Sequence, residues 1–340
     1  MILNKSKKFE EILKSNKGLH LTCYLSKTTN SVSAVDQLRQ QLEDTAELLK
    51  PILTEKQIKR FLKPLLALVR NPSLFDKLGS HIGAYRTSKS FRILSLPIEI
   101  EPASVVATSF HVKPILKWLQ SDPNFILVGL NQGEAHIGYG DQTQFCLIES
   151  VAIENLNEKI QQLTKLDQPL LFLAGQDGEI KQMRKALHYP NIYTNKTYSF
   201  FTPQHAGSIV MSIRLELRQR IAQKMQSALA EFEVADNLNL TRKNIFQIAK
   251  LAVIGRVKKL IVAGDLRIFG KIDKLTGGLA LHPFELDHED DDILDDLAQT
   301  VLENGGEVVV VDHALIPNNR VALAIIHDHQ LNYQTQTVNF

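Results

Sequence analysis

The stretch from Gly255 to Ile326 constrains the fold more than any other part of the chain. Val257 to Ala263 is an apolar, β-branched run that stops at Gly264, and Arg267-Ile268-Phe269-Gly270 alternates charge with apolar bulk. Two strands are expected there. Beyond a loop with Gly277-Gly278 and Pro283, the acidic run Asp287 to Asp292 leads into Ile293, Leu294, Leu297 and Val301 at helical spacing, and Gly305-Gly306 stops the helix. Glu307 to Val311 is too apolar for a surface strand, and Val321 to Ile326 is a second run of the same kind. Together they predict a small α/β sandwich around a buried central strand.

The preceding chain alternates elements in the same way. Leu19 to Leu25 reads as a half-buried strand after a short helix at Phe9, Ile12 and Leu13. Val35 to Leu49 reads as a helix, and Thr54-Glu55-Lys56-Gln57 as a capping box opening another through Val69, kinked or divided at Pro64. Strands are expected at His81 to Tyr85 and Phe91 to Leu96, and a helix at Val112 to Gln120. Ser121-Asp122-Pro123-Asn124 is a boundary signal. Phe125 to Leu130, Ala135 to Tyr139 and Phe145 to Val151 then form a strand meander, followed by a helix (Leu156 to Leu166), a strand (Pro169 to Ala174) and a helix (Ile180 to Leu187). Pro203 opens the longest helix, which Asp236 to Leu240 breaks, and Thr241 is expected to cap the next.

At 340 residues, 44% hydrophobic and 22% charged, the chain has the composition of a folded protein of two or three domains. A net charge of +2 implies no nucleic acid by itself, so any relevant basic character is local. Cys23 and Cys146 lack metal spacing and sit in strand-like runs, which points to buried, reduced thiols and the cytoplasm. No segment approaches the roughly 20 apolar residues of a membrane helix, and the lysine-rich start lacks the apolar run of a signal peptide.

The wording of the C-terminal stretch, GRVKKLIVAGDLRIFGKID followed by DDDILDDLAQTVLENGGEVVVVDHALIP, resembles the bacterial relatives of the archaeal and eukaryotic peptide-chain release factors. Tyr24-Leu25, Phe110 to Leu116, Phe125 to Asn131 and Leu171 to Gly175 agree, so the resemblance runs along most of the chain. The boundary signals divide the chain into an N-terminal α/β domain (1–121), a central domain (122–236), a C-terminal α/β sandwich (237–329) and a polar, loose tail (330–340), and the resemblance implies that the central domain is RNase-H-like and the C-terminal one L7Ae-like. The resemblance also implies a ribosome or tRNA partner.

The family's hydrolysis of peptidyl-tRNA needs a Gly-Gly-Gln loop after the third strand of the central domain. Here that place holds Glu149 to Leu156, which contains no glycine, so the loop is expected to be absent. Ala174-Gly175-Gln176 reads as a strand-to-helix turn in which Gly175 takes an unusual backbone angle, and Gly277-Gly278 as a hairpin tip. The family's Asn-Ile-Lys-Ser stop-codon motif does not occur, and the Tyr-Leu-Pro-Thr-His of bacterial members is replaced by Tyr24-Leu25-Ser26-Lys27-Thr28.

His282 and Asp287 to Asp292 have metal-ligand types, but a contiguous run does not converge on one ion. Carboxylates at a helix start have a simpler cause, the helix dipole, worth about 0.3–1 kcal/mol each. His327-Asp328-His329 has no third ligand nearby. Walker, Rossmann and Gly-x-Ser-x-Gly signatures are absent, and no catalytic residue, cofactor or metal is assigned. Lys5 to Lys17 and Lys56 to Lys63 read as solvated faces. The remaining basic set, Arg242, Lys243, Lys250, Arg256, Lys258 and Lys259, is the candidate nucleic-acid surface, with the acidic helix start turned away from it. The sequence therefore suggests a non-hydrolytic translation factor. The alternatives are a divergent peptidyl-tRNA or phosphoester hydrolase, and a protein-interaction scaffold.

Overall fold

In the computed structural model the described residues are 12, 18–27, 33–71, 73–96, 98–120, 124–164, 168–282 and 291–328. The expected first helix (apart from Ile12), the Ser121-Asp122-Pro123 boundary, most of the acidic run and the tail lie outside them.

The first sheet is antiparallel. β1 (His20–Ser26) lies between β2 (His81–Thr87) and β4 (Ala103–Ala107), and β3 (Phe91–Leu96) flanks β2. Helices α1 (Ala34–Leu49), α2 (Glu55–Arg70) and the single turn α3 (Ser73–Asp76) connect β1 to β2. Alternation divides β1 between two cores. Leu21, Cys23 and Leu25 pack with Leu38, Leu42, Phe61, Leu62 and Leu65, whereas Tyr24 belongs to a separate cluster with Tyr85 and Phe110. The expected capping box at Thr54 and Gln57 is present, and α2 continues through Pro64 without dividing. The carbonyl deprived of its donor is that of exposed Arg60, which water can satisfy, while the apolar face from Ile58 to Leu68 stays buried. Sequence reading missed β4, whose small residues Ala103, Ser104 and Ala107 weaken the apolar signal. The chain then enters α4 (Lys113–Leu119).

The second sheet is mixed, in the order β7-β6-β5-β8-β9. Its strands are β5 (Phe125–Asn131), β6 (Glu134–Gly140), β7 (Phe145–Ala152), β8 (Leu170–Gly175) and β9 (Tyr198–Ser199), with β5 and β8 parallel. Phe125 and Leu127 face one core with Phe172, and Ile126, Val128 and Leu130 face another. That second core holds Leu156 and Ile160 of α5 (Leu156–Leu163) and Ile180 and Met183 of α6 (Asp177–Ala186). The first holds Ile209, Ile213 and Leu217 of α7 (Ala206–Asn237), a helix of 32 residues that begins after a 3₁₀ turn at Pro203–His205. Cys146, expected buried, is exposed because β7 is an edge strand, while Cys23 is buried.

The C-terminal half of α7 runs into a third sheet. β10 (Thr241–Arg242) is followed by α8 (Ile245–Val253) and the central strand β11 (Val257–Ala263). A small sheet follows, formed by β12 (Phe269–Ile272), β13 (Leu279–Leu281) and β14 (Asp291–Asp292). Then come α9 (Ile293–Glu303), β15 (Glu307–Val311) and β16 (Ala322–Ile326). The main order is β10-β16-β11-β15, with β11 and β15 parallel. Thr241 pairs in the sheet instead of capping α8. The cap is Asn244, which accepts the Phe246 N–H at 2.9 Å.

Helices α4, α7, α8 and α9 all pack on this sheet. α4, although it precedes residue 121, docks on β15. The Gln120 side chain accepts the Val310 N–H at 2.8 Å and donates to the Val310 carbonyl at 2.5 Å, and Lys117 pairs with Asp312 at 2.9 Å. One apolar cluster therefore runs from Tyr24 and Tyr85 through Phe110, Ile115 and Leu119 to Leu260 and Ile261.

Candidate functional site

The six basic side chains singled out in the sequence do not form one uniform surface. β10 and β11 both start beside the end of β16, through the pairs Thr241↔Ile325 and Val257↔Ile326, which brings five of the six to one end of the sheet. There Lys243 meets Asp236 at 2.6 Å, and Lys258 meets Glu231 at 3.4 Å. Lys259 bonds Glu231 and lies 3.2 Å from Glu307. The hydrogen bond from Lys259 holds the Glu231 carboxyl below its ordinary range. Burial alone would lower the Lys259 ammonium, but Glu231 and Glu307 outweigh it and raise its pKa. Arg242 donates to the Thr241 carbonyl at 2.6 Å, and Arg256 to the His327 carbonyl at 3.4 Å.

Arg320, which donates to the Lys243 carbonyl at 3.1 Å, joins this group. Nothing in the sequence marked it, because it is 77 residues away from Lys243 and joins through the loop before β16. The group's six cations outnumber the three carboxylates seen paired with them, those of Glu231, Asp236 and Glu307. Lys250 stands apart on the exposed side of α8 and has no ion-pair partner among the described residues.

The stretch Glu149 to Leu156 forms no extended loop. β7 passes through a 3₁₀ turn at Ile153–Asn155 directly into α5. Gln176 is the N-terminal cap residue of α6, and its backbone N–H reaches the Glu179 carboxylate at 3.3 Å. Gly175 has φ +149°, and a side chain there would meet the Leu130 Cβ at 2.9 Å, so this glycine serves a tight strand-to-helix turn. Gly277 and Gly278 lie in the connection between β12 and β13. Ser150 and His136 make a cross-strand hydrogen bond at 2.5 Å. The imidazole's further neighbour is the Phe201 ring, at 5.5 Å, and among the described residues no carboxylate orients it as a triad requires.

The acidic start of α9 is the largest departure from expectation. Asp292, Asp295 and Asp296 are all buried, and they hold the segment Ser109 to Lys113. One Asp295 oxygen accepts the backbone N–H of Val112 at 3.0 Å and of Lys113 at 2.7 Å, which caps α4 from another part of the chain. Its other oxygen bonds His111 Nδ1. Ser109 donates to Asp296 at 2.8 Å, and Gln299 to the Phe110 carbonyl at 2.9 Å. From the β1 side, Tyr24 donates to the His111 carbonyl at 2.6 Å, and Thr22 accepts the His111 N–H at 3.1 Å.

His111, Asp292 and Asp295 have ligand atoms close enough for one cation. The chain supplies that cation itself. Lys113 Nζ lies 2.6 Å from Asp292 Oδ2 and also donates to the Leu266 carbonyl. Burial, then the Asp295 charge, pushes the Asp292 carboxyl up. For Asp295 burial acts in the same upward sense, but His111 and Lys113 outweigh it and the carboxyl ends below its ordinary range. A buried carboxylate set held by its own lysine, by His111 and by backbone N–H groups is a structural junction, and sequence could not reveal it because Asp295 lies 183 and 182 residues from Val112 and Lys113.

No protein-family model matches the chain, and no curated protein matches it. Among solved structures it is similar to S. cerevisiae Dom34, described as a translation termination-like factor involved in RNA quality control pathways and interacting with Hbs1. That match has 14% identity over 70% of this chain and 72% of that one, with a TM-score of 0.44. A ribosome-bound archaeal Pelota aligns over 70% and 72%, at 15% identity and TM-score 0.41. An archaeal translation termination factor, aRF1, aligns over 96% and 98%, at 11% identity and TM-score 0.29.

Proposed function

We propose that this chain is a translation-associated, release-factor-like protein that binds the ribosome or tRNA without hydrolysing peptidyl-tRNA. The observation that carries the second half is the direct junction of β7 and α5, with Ile153–Asn155 as its only connection. A catalytic glutamine needs a glycine-bearing loop long enough to project it, and neither glycine nor length exists there. The first half is supported by the sequence resemblance and by the cations gathered at the sheet end, where phosphate contacts would release counterions.

Within that reading we place the protein among the bacterial members, in the cytoplasm. Its central unit (122–236) is RNase-H-like, which the mixed order β7-β6-β5-β8-β9 supports. Its last unit (237–329) is L7Ae-like, which the layered packing of helices on β10-β16-β11-β15 supports. Arg242, Arg256, Lys258 and Lys250 are the cations assigned to RNA, with Lys258 only 3.4 Å from Glu231 and more loosely paired than Lys243 and Lys259, which are committed to carboxylates.

That commitment gives a scaffold reading some weight, and co-sedimentation with purified ribosomes at low and moderate salt separates the two. Pelleting with ribosomes that weakens as salt rises supports the binding role. Absence from the pellet at both salts leaves the scaffold.

A further inference from the structure

A cleft of about 600 Å³ lies where the first sheet, the β6–β7 turn and α7 meet. That volume is within the range of small-molecule sites. Three features distinguish it from a chance gap.

The first is a rigid wall. In the turn, the Asp141 carboxylate accepts Thr143 N–H at 2.7 Å, Thr143 Oγ1 at 2.8 Å and Gln144 N–H at 2.7 Å. The Arg214 Nε donates to the Asp141 carbonyl at 3.0 Å, and Gln144 donates to Ser80 at 3.2 Å, which pins the turn to both α7 and the first sheet.

The second is an unanswered amide. Gln142 lines the cleft, and both its side-chain oxygen and nitrogen are buried without a hydrogen-bond partner. Leaving such atoms unpaired is unfavourable, and a ligand with an adjacent donor and acceptor answers both once the side chain turns into the cleft.

The third is the face that α7 presents. Met211 and Leu215, one turn apart, are 68% and 55% exposed and form an apolar ledge. Arg214 and Arg218, also one turn apart, run beside it. Arg218 has only a loose contact with Glu99, at 3.9 Å between side chains that are both largely exposed. His81 is not a third cation. Its Nδ1 accepts the Ile100 N–H at 3.3 Å, and burial lowers its pKa against the opposing pull of Glu99 and Asp141.

An unpaired amide on a pinned turn, an apolar ledge and two guanidinium groups match the three parts of one ligand class. We propose that this cleft binds an adenine nucleotide unit, with the phosphate on Arg214 and Arg218, the base against Met211 and Leu215, and the Gln142 amide on the base edge. Glutamine pairs with adenine by accepting from N6 and donating to N7, whereas guanine offers two acceptors at the same edge and leaves the amide oxygen unpaired. The unit can come from a free nucleotide or from an adenosine in single-stranded RNA. The site is separate from the basic end of the third sheet, and its case does not rest on ribosome binding.

The test is titration of the full-length protein by calorimetry with AMP, GMP and a short oligoadenylate. AMP or the oligoadenylate should bind, with AMP favoured over GMP by about tenfold. Arg218→Glu should weaken binding about tenfold or more, Glu99→Gln should strengthen it, and Gln142→Ala should abolish the preference for adenine. Arg218 and Glu99 are exposed, and an unchanged Trp118 emission checks that each variant is folded. Equal affinity for AMP and the oligomer identifies a nucleotide site, and an oligomer bound about tenfold tighter identifies an RNA site. No binding of either probe at about 1 mM overturns the proposal. So does binding that is indifferent to Arg218→Glu and Gln142→Ala.

Discussion

Replacing Asp295 by alanine should uncouple α4 from α9. The change removes the acceptor of two backbone N–H groups at the start of α4 and the partner of His111, all in a buried setting. Each stranded donor costs about 1–3 kcal/mol, and breaking a buried ionic contact costs about 3–5 kcal/mol. These contributions overlap, so a total of about 4 kcal/mol is expected rather than their sum. Trp118, the single tryptophan, lies in α4 and reports on this junction directly. With a urea slope of about 2 kcal/mol/M, its fluorescence transition should move down by roughly 2 M. Asp295→Asn keeps an acceptor oxygen for α4 and should move it less. Lys50→Ala, which removes an exposed pair with Glu47, should cost below about 1 kcal/mol. A shift under about 0.5 M for Asp295→Ala would refute the claim that this carboxylate caps α4.

Other outcomes follow from the same geometry. Peptidyl-tRNA should remain intact in the presence of the protein, and Gln176→Ala should change nothing in a release assay; hydrolysis that disappears with Gln176 would place a catalytic loop at the start of α6. Burial pushes the Cys23 thiol up to about 12, so native protein at mildly alkaline pH should take one alkylating label, on exposed Cys146, and unfolded protein two; mass spectrometry distinguishes them. Gly129→Ala would drive a methyl group into the buried Phe201 ring and should destabilise the second sheet by about 1–3 kcal/mol, read as a lower thermal midpoint. Asp295, Glu216 and Glu231 all have carboxyls held below their ordinary range, so their unfolded forms bind protons first and stability should fall as pH drops below about 4. Asp292, raised by burial, acts in the opposite sense, and an acid titration by circular dichroism gives the net result.

Local pattern carried much of the fold. Alternation in β1, the capping box at Thr54 and the four-residue steps of α7 were visible because each depends on neighbours in sequence. Two-residue elements such as β9 and β10 are too short to show a period, and Thr241 was therefore misread as a cap. The acidic start of α9 shows the limit more clearly. Carboxylates there satisfy the helix dipole in sequence terms, and only the fold reveals that Asp295 is turned inward to cap α4. The basic set was legible as charge, but its pairing was not. Glu231 lies 27 and 28 residues from Lys258 and Lys259, so their engagement with it was invisible.

The central claim is ribosome or tRNA binding through the cations at the positive end of the third sheet together with Lys250 of α8, and salt dependence of affinity tests it most directly. Lys250 and Lys258 are exposed, so reversing both to glutamate leaves the core intact. For the unaltered protein, the logarithm of the ribosome association constant should fall linearly with the logarithm of salt concentration. The double variant should bind more weakly, with a slope shallower by about 0.7–0.9 for each phosphate it no longer neutralises. Affinity and slope identical to those of the unaltered protein would contradict the account.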